Sequence, residues 1–211
     1  DDHALMIAAL LECLQARYRP LDLEFAEDLA DALLDDFQDQ ARGGFYFTRK
    51  DHEVLIHRPK DGRDNAMPAG NGIAAQALGR LGHITGEQRY LAAAERTLQA
   101  FYPAMARQPM GFASLAVALE ECLAPPAILV LRGESADFPA WQGRLAAAYR
   151  PSLVSVAVPT GTPGLPPVLD KRLCGQVNAW LCMGVECMPP VSSWPELEAD
   201  LMRIGKPAGE V

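Results

Sequence analysis

Two neighbouring stretches decide the fold: residues 4–14, ALMIAALLECL, and residues 21–37, LDLEFAEDLADALLDDF. The first is apolar almost all the way round, broken only by Glu12, which predicts a helix covered on both sides. In the second, Leu21, Phe25, Leu29, Leu33 and Phe37 recur every four residues, while Asp22, Glu24, Asp28, Asp31 and Asp35 hold the remaining surface. That spacing predicts an amphipathic helix with one buried stripe and one acidic face in water.

The alternation then repeats. Gly72 to Leu81 is a run of mostly small apolar residues, and Tyr90, Ala94, Leu98, Phe101 and Met105 form a single stripe beside Glu87, Arg89, Glu95 and Arg96. Phe112 to Leu119 returns to the all-round apolar type, and no helix continues through Pro125-Pro126. A ring of inner helices sheathed by outer ones produces this order, because inner helices touch neighbours on nearly every side. The expected fold is mainly α, a partial α/α toroid over residues 1–124.

After Pro126 the pattern changes. Ala127 to Leu131 reads as a buried strand, Phe138 to Tyr149 as a helix, Leu153 to Val158 as a second strand and Val177 to Leu181 as a further one, giving a small α/β module over residues 125–211. Trp194 to Ile204 closes it as a helix, with Ser192 and Ser193 as cap candidates and Pro195 in the first turn. Between the first two helix pairs, Gly43-Gly44-Phe45-Tyr46-Phe47-Thr48 reads as a short strand or hairpin arm. The polar loop from Arg49 to Pro68 carries only a brief apolar patch at Val54, Leu55 and Ile56. Loops of such length inside compact domains are often functional, so a site is sought there first.

With 211 residues, 49% hydrophobic, the chain can bury one full core and a small second module. Its 27 acidic and 19 basic side chains leave a formal charge of -8, which repels phosphate backbones and anionic headgroups, so neither nucleic acid nor membrane is an expected partner. No apolar run approaches the roughly 18 residues needed to cross a bilayer. The chain opens Asp1-Asp2-His3 without an initiating Met, which suggests that a segment precedes it. Five cysteines, an odd number spread widely, do not form a secreted disulfide framework, and a reducing cytoplasm is the expected location. There is neither GxGxxG after a strand nor GxxxxGK[ST], so no nucleotide or other cofactor is expected.

Specific strings add to this. Gly43-Gly44-Phe45-Tyr46-Phe47-Thr48, then Arg58-Pro59-Lys60, then Asp64-Asn65-Ala66-Met67-Pro68-Ala69-Gly70-Asn71 occur in that order, with Asp2-His3-Ala4 before them and Thr85-Gly86-Glu87-Gln88-Arg89-Tyr90 after. Near the end, Cys182 and Cys187 precede Pro189-Pro190-Val191. The chain resembles the C-terminal part of the spermatogenesis-associated thioredoxin-domain family. That resemblance implies an (α/α)6 toroid similar to N-acylglucosamine 2-epimerases and six-hairpin glycosidases, preceded by a thioredoxin-like domain. That domain and the first half of the toroid are absent from this chain, so association with them, or self-association, is expected. The chain departs from the family pattern at Asn65, Met67, Ala69 and Gly72, and at His3, which replaces an aromatic.

In such a toroid the loops leading into inner helices ring one mouth of the cavity, where helix dipoles favour anionic or hydroxyl-rich ligands. Asp64 and Asn71 stand at such an entry. With Arg58 and Lys60, and with Asp2 and His3 across the cavity, they form a candidate site for a carbohydrate-like small molecule. His3 is the candidate base of an epimerase, and Asp64, paired with Asp2, the candidate acid of a hydrolase. Structural alternatives stand beside these roles: Asp64 capping a turn, Asn71 capping a helix, Arg58 paired with an acid, His3 a core residue. His52, His57 and His83 read as solvated, and Cys13 and Cys122 as packing residues.

Cys182 and Cys187 form a candidate thiol pair, either buried free thiols or a reversible disulfide, and their spacing does not make a metal site. The first turn of the β-α-β unit, Arg132-Gly133-Glu134-Ser135, puts an acid where a phosphate would sit, so that unit reads as structural. Two functions follow: a sugar-directed isomerase, epimerase or hydrolase domain, or a non-catalytic scaffold serving a thioredoxin-like partner domain.

Overall fold

In a computed structural model the described residues are 1–53, 56–173, 176–184 and 186–204; Val54, Leu55 and Cys174 lie outside them. The chain is mainly α with one small mixed sheet. It divides into two compact units, one of residues 1–14 and 19–124, the other of residues 15–18 and 125–211.

Among the described residues the first unit holds five α-helices: α1 (Asp2–Ala16), α2 (Pro20–Ala32), α3 (Gly70–Thr85), α4 (Gln88–Arg107) and α5 (Ala113–Leu123). The contrast between α3 and α4 follows their apolar coverage. Along α3, Ala74, Ala75, Ala77, Leu78, Leu81 and Ile84 are buried with Asn71, Gly72 and Gly82, whereas α4 buries one stripe that includes Tyr90, Ala94, Leu98 and Met105. Small residues let α3 sit close to its neighbours. At Gly72 a Cβ would lie 2.1 Å from Ser114 Oγ and 2.9 Å from Leu115 N, so α5 touches the α3 backbone there. Arg80 of α3 adds a charged tie: Nε and Nη2 donate to the two carboxylate oxygens of Glu121 at 2.9 and 2.7 Å, and Nη1 to Glu12 at 2.9 Å.

One expected stripe differs in the structure. The buried side of α2 is Leu23, Ala26, Ala30 and then Leu33, while Leu21 is 71% exposed and Phe25 47% exposed. A strict four-residue repeat advances 400° per step, so it drifts about 40° each time around a 3.6-residue helix and cannot remain on one face. The 3-4-3 spacing of the observed set does remain there. The helix also does not run evenly to Phe37: residues Leu33–Phe37 form a π turn. On α1 and α5, apolar coverage does not mean burial all round. Ala4, Ile7, Leu11 and Leu14 are buried on α1 but Met6 is half-exposed, and α5 buries Leu115 and Ala118 while Val117 and Leu123 face outward. Cys13 and Cys122 are likewise exposed free thiols rather than packing residues.

The Gly43–Thr48 segment is no regular strand. It makes a single antiparallel bridge, Gln38 to Phe45, beside Gly43 and Gly44 in left-handed conformations (φ 76° and 75°). Ile56 is fully exposed.

The second unit is built on β1 (Ala127–Gly133), α6 (Phe138–Ala146), β2 (Leu153–Pro159), β3 (Val177–Met183), β4 (Glu186–Cys187) and α7 (Trp194–Ile204), with strand order β2-β1-β3-β4. β1 and β2 pair in parallel through the α6 crossover, while β3 runs antiparallel to β1 and β4 antiparallel to β3. Alternation along the strands sends Ala127, Leu129, Leu131, Ala157, Ala179 and Leu181 into one core with Phe138, Leu145, Leu197 and Leu201. α6 ends at Ala146, three residues before the expected limit, leaving Tyr149 exposed. At the start of α7 Glu196 reaches back to Ser193, whose hydroxyl and N–H both donate to Glu196 Oε2, at 2.6 and 3.2 Å.

Candidate functional site

The site-bearing segment of the first unit, residues 38–71, is organised by Asp39. Its Oδ1 accepts the N–H groups of Ala41 and Arg42 at 3.1 and 3.0 Å, and its Oδ2 accepts the Tyr46 hydroxyl at 2.9 Å and the Lys60 ammonium at 2.6 Å. Burial by itself would raise the carboxyl's pKa. The hydrogen bonds from Lys60, Arg42 N–H and Tyr46 outweigh that and hold it well below the ordinary value, so Asp39 stays ionised. Tyr46 moves upward in turn, because its hydroxyl donates to that carboxylate and is partly desolvated. Lys60 also donates to the Gly43 carbonyl at 2.8 Å.

Arg58 lies over the Tyr46 ring, 4.1 Å from its centroid, and donates to the Thr48 carbonyl through Nη2 at 2.5 Å and Nε at 3.2 Å. Arg58 and Lys60 thus clamp the loop around Tyr46. Asn71, 5% exposed at the start of α3, completes the clamp: its Oδ1 accepts Phe45 N–H at 2.7 Å, and its Nδ2 donates to the carbonyls of Phe45 and Asp61 at 2.9 and 2.8 Å.

This frame shapes a cavity of about 370 Å³ whose wall includes His3, Phe37, Phe45, Phe47, Asp61, Arg63, Asn65 and Asn71. The His3 and Phe37 rings lie 5.1 Å apart, tilted by 54°. The π turn puts both of its ends, Leu33 and Phe37, into this wall, which fits the habit of π turns to occur where a side chain must be redirected toward a site.

His3 and Asn71 are therefore brought together, and Arg58 and Lys60 stand behind them in the loop frame. Asp64 is elsewhere. It lines a second, more open cavity of about 450 Å³ with Gln76, Ser114 and Val117. Its oxygens are occupied: Oδ1 accepts Ala69 N–H at 2.8 Å and the Ser114 hydroxyl at 2.5 Å, and Oδ2 accepts Ser114 N–H at 2.9 Å. Burial pushes the Asp64 pKa up, but the Ser114 hydroxyl and the N–H groups of Ala69, Ser114 and Ala113 bring it below the ordinary value. Asp64 is a cap for α5 supplied from outside the helix, where Phe112 at the N-cap position offers no side-chain oxygen. Asp2 is exposed in the first turn of α1 and shares neither cavity with Asp64.

Sequence reasoning marked the 49–68 loop but not its cavity-lining members, Asp61, Arg63 and Asn65, nor the aromatic wall of Phe37 and Phe47. The signal was there as charge density, Asp61-Gly62-Arg63-Asp64; which carboxylate turns inward depends on packing against α5. His83, read as solvated, is half-buried on α3, and burial lowers its pKa.

Cys182 and Cys187 are joined by a disulfide across the β3–β4 register. Among the described residues no three His, Cys, Asp or Glu side chains gather as a metal site, and no helix is long and apolar enough to cross a membrane.

No protein-family model matches the chain. Curated proteins do: the chain is 27% identical over 207 residues, 93% of its length, to the human (Homo sapiens) protein named spermatogenesis-associated protein 20. Its homologues carry that name. The rat (Rattus norvegicus) and mouse (Mus musculus) proteins called spermatogenesis-associated protein 20 are 30% and 31% identical over 123 and 111 residues, or 56% and 52% of the chain. The alignment spans about a quarter (26%) of the human spermatogenesis-associated protein 20 and 15% and 14% of the rat and mouse proteins.

Proposed function

We propose that the first unit is an arc of an α/α toroid whose cavity receives a carbohydrate-like small molecule. The observation that carries this reading is the composition of the 370 Å³ cavity wall, which sets His3, Asp61, Arg63 and Asn65 among Phe37, Phe45 and Phe47. Aromatic faces stack on the C–H side of a sugar ring, and the polar groups hydrogen-bond its hydroxyls. The alternation of α3, buried on nearly every side, with the one-sided α4 supports the toroid.

Within this reading an epimerase-like proton transfer is favoured over hydrolysis. His3 is in the wall, where an imidazole nitrogen can accept a proton and return it. Hydrolysis through Asp64 is disfavoured because all its near contacts are structural hydrogen-bond donors. The second reading, a scaffold for a thioredoxin-like domain, is favoured by the outward apolar side chains Val117 and Leu123 on α5 and Met6 on α1.

Thermal-shift titration with mono- and disaccharides separates the two. A cavity ligand at a hundred times its Kd stabilises the protein by about 2.7 kcal/mol by mass action. A rise in Tm with sugar that Arg63→Ala and His3→Ala each remove is the expected result; no shift with any sugar favours the scaffold.

A further inference from the structure

The Cys182–Cys187 disulfide lies outside the cavity and takes no part in it, yet its surroundings are those of a reactive bond. Cys182 is buried on β3 (2% exposed), whereas Cys187 on the two-residue edge strand β4 is exposed. Lys171 Nζ lies 3.3 Å from Cys187 Sγ. The adjoining charged residues are Asp170 and Arg172 beside Lys171, and Glu186 beside Cys187. Glu186 alternates to the other side of β4, opposite Met183. The two cysteines are separated by only 5 positions in sequence, at a sheet edge, so the bond constrains little of the unfolded chain.

We infer that Cys182–Cys187 is a thiol–disulfide exchange site whose substrate is a dithiol and whose reactive sulfur is Cys187. A thiolate of the dithiol attacks the exposed Cys187 Sγ. The Cys182–Cys187 bond breaks, and Cys182 Sγ leaves with the electron pair and takes up a proton. The second thiol of the dithiol, on losing its proton, attacks its own sulfur in the mixed disulfide and expels Cys187 as a thiolate. The dithiol ends as a disulfide and the protein as one thiol and one thiolate, two electrons having passed inward. The Lys171 ammonium, at hydrogen-bond distance, stabilises the Cys187 thiolate, as a nearby cation does at reactive cysteines. In the reverse direction that thiolate is the nucleophile toward an oxidised partner.

The test uses the whole chain with Cys13, Cys122 and Cys174 changed to Ser, so that the pair alone reports. Folded protein is equilibrated with dithiothreitol, followed by near-UV circular dichroism, then alkylated with limiting iodoacetamide and mapped by mass spectrometry. The expected result is full reduction with the fold retained and Cys187 modified ahead of Cys182. Lys171→Met is expected to slow Cys187 alkylation on the order of tenfold at pH 7 but not at pH 10, and Lys171→Arg to restore it. A bond that opens only in denaturant, loss of the fold on reduction, equal labelling of the two cysteines, or a Lys171→Met pH profile matching the parent would each overturn the proposal.

Discussion

His83 shows how one residue can carry the pH dependence of a helix packed in the core of its unit. It is half-buried on α3, and burial lowers its pKa from the ordinary 6.5, partly opposed by Glu121. The unfolded chain therefore binds a proton at a higher pH than the folded one, and stability falls as pH drops below 6.5 toward the lower folded value. Above 6.5 the residue is neutral in both states and contributes no slope. His83→Gln is expected to flatten the urea midpoint between pH 6.5 and 5 relative to the parent. An unchanged slope would mean that the ring is solvated in the folded protein.

At the scale of elements, Gly72 fixes how near α3 and α5 can come. A methyl group there would meet Ser114 Oγ at 2.1 Å and the backbone N of Leu115 at 2.9 Å. Since Ser114 is also held by Asp64, it cannot swing aside without uncapping α5. Gly72→Ala is therefore expected to destabilise the protein by about 1–3 kcal/mol through overpacking, despite its better helix propensity; chemical denaturation checks it. Elements of this kind were legible where side-chain period and burial agree. The α4 stripe of Tyr90, Ala94, Leu98 and Met105 was readable, as were the parallel β1 and β2 from their continuous apolar runs. The turn of α2 was not, because a four-residue repeat of large side chains hid the smaller Ala26 and Ala30 that face inward. The role of Asp64 was legible only as a choice between acid and cap, since the donors it meets on α5 are 50 residues away in the chain. The cavity wall needed Phe37 and Asp61, from segments that only the folded chain brings together.

At the scale of the whole molecule, apolar side chains with no cover set the expected behaviour in solution. Leu21, Phe25, Val117, Leu123 and Met6 are each exposed, and where such side chains adjoin they mark an association face. The chain is expected to self-associate reversibly at micromolar concentration, with Val117→Glu and Leu123→Glu restoring the monomer in sedimentation velocity. A single monomeric species at all concentrations would remove the scaffold reading's main support.

The π turn at Leu33–Phe37 implies a kind of adjustability that side-chain substitution alone cannot supply. A helix that accommodates one surplus residue in its last turn can give that residue back. Excising Leu34 would let the segment relax into regular α-helix with Phe37 close to its present direction, because four residues of an α-helix turn about as far as five of a π turn. The turn therefore buffers chain length, and a variant shorter there by one residue would keep Phe37 on the same side of the cavity.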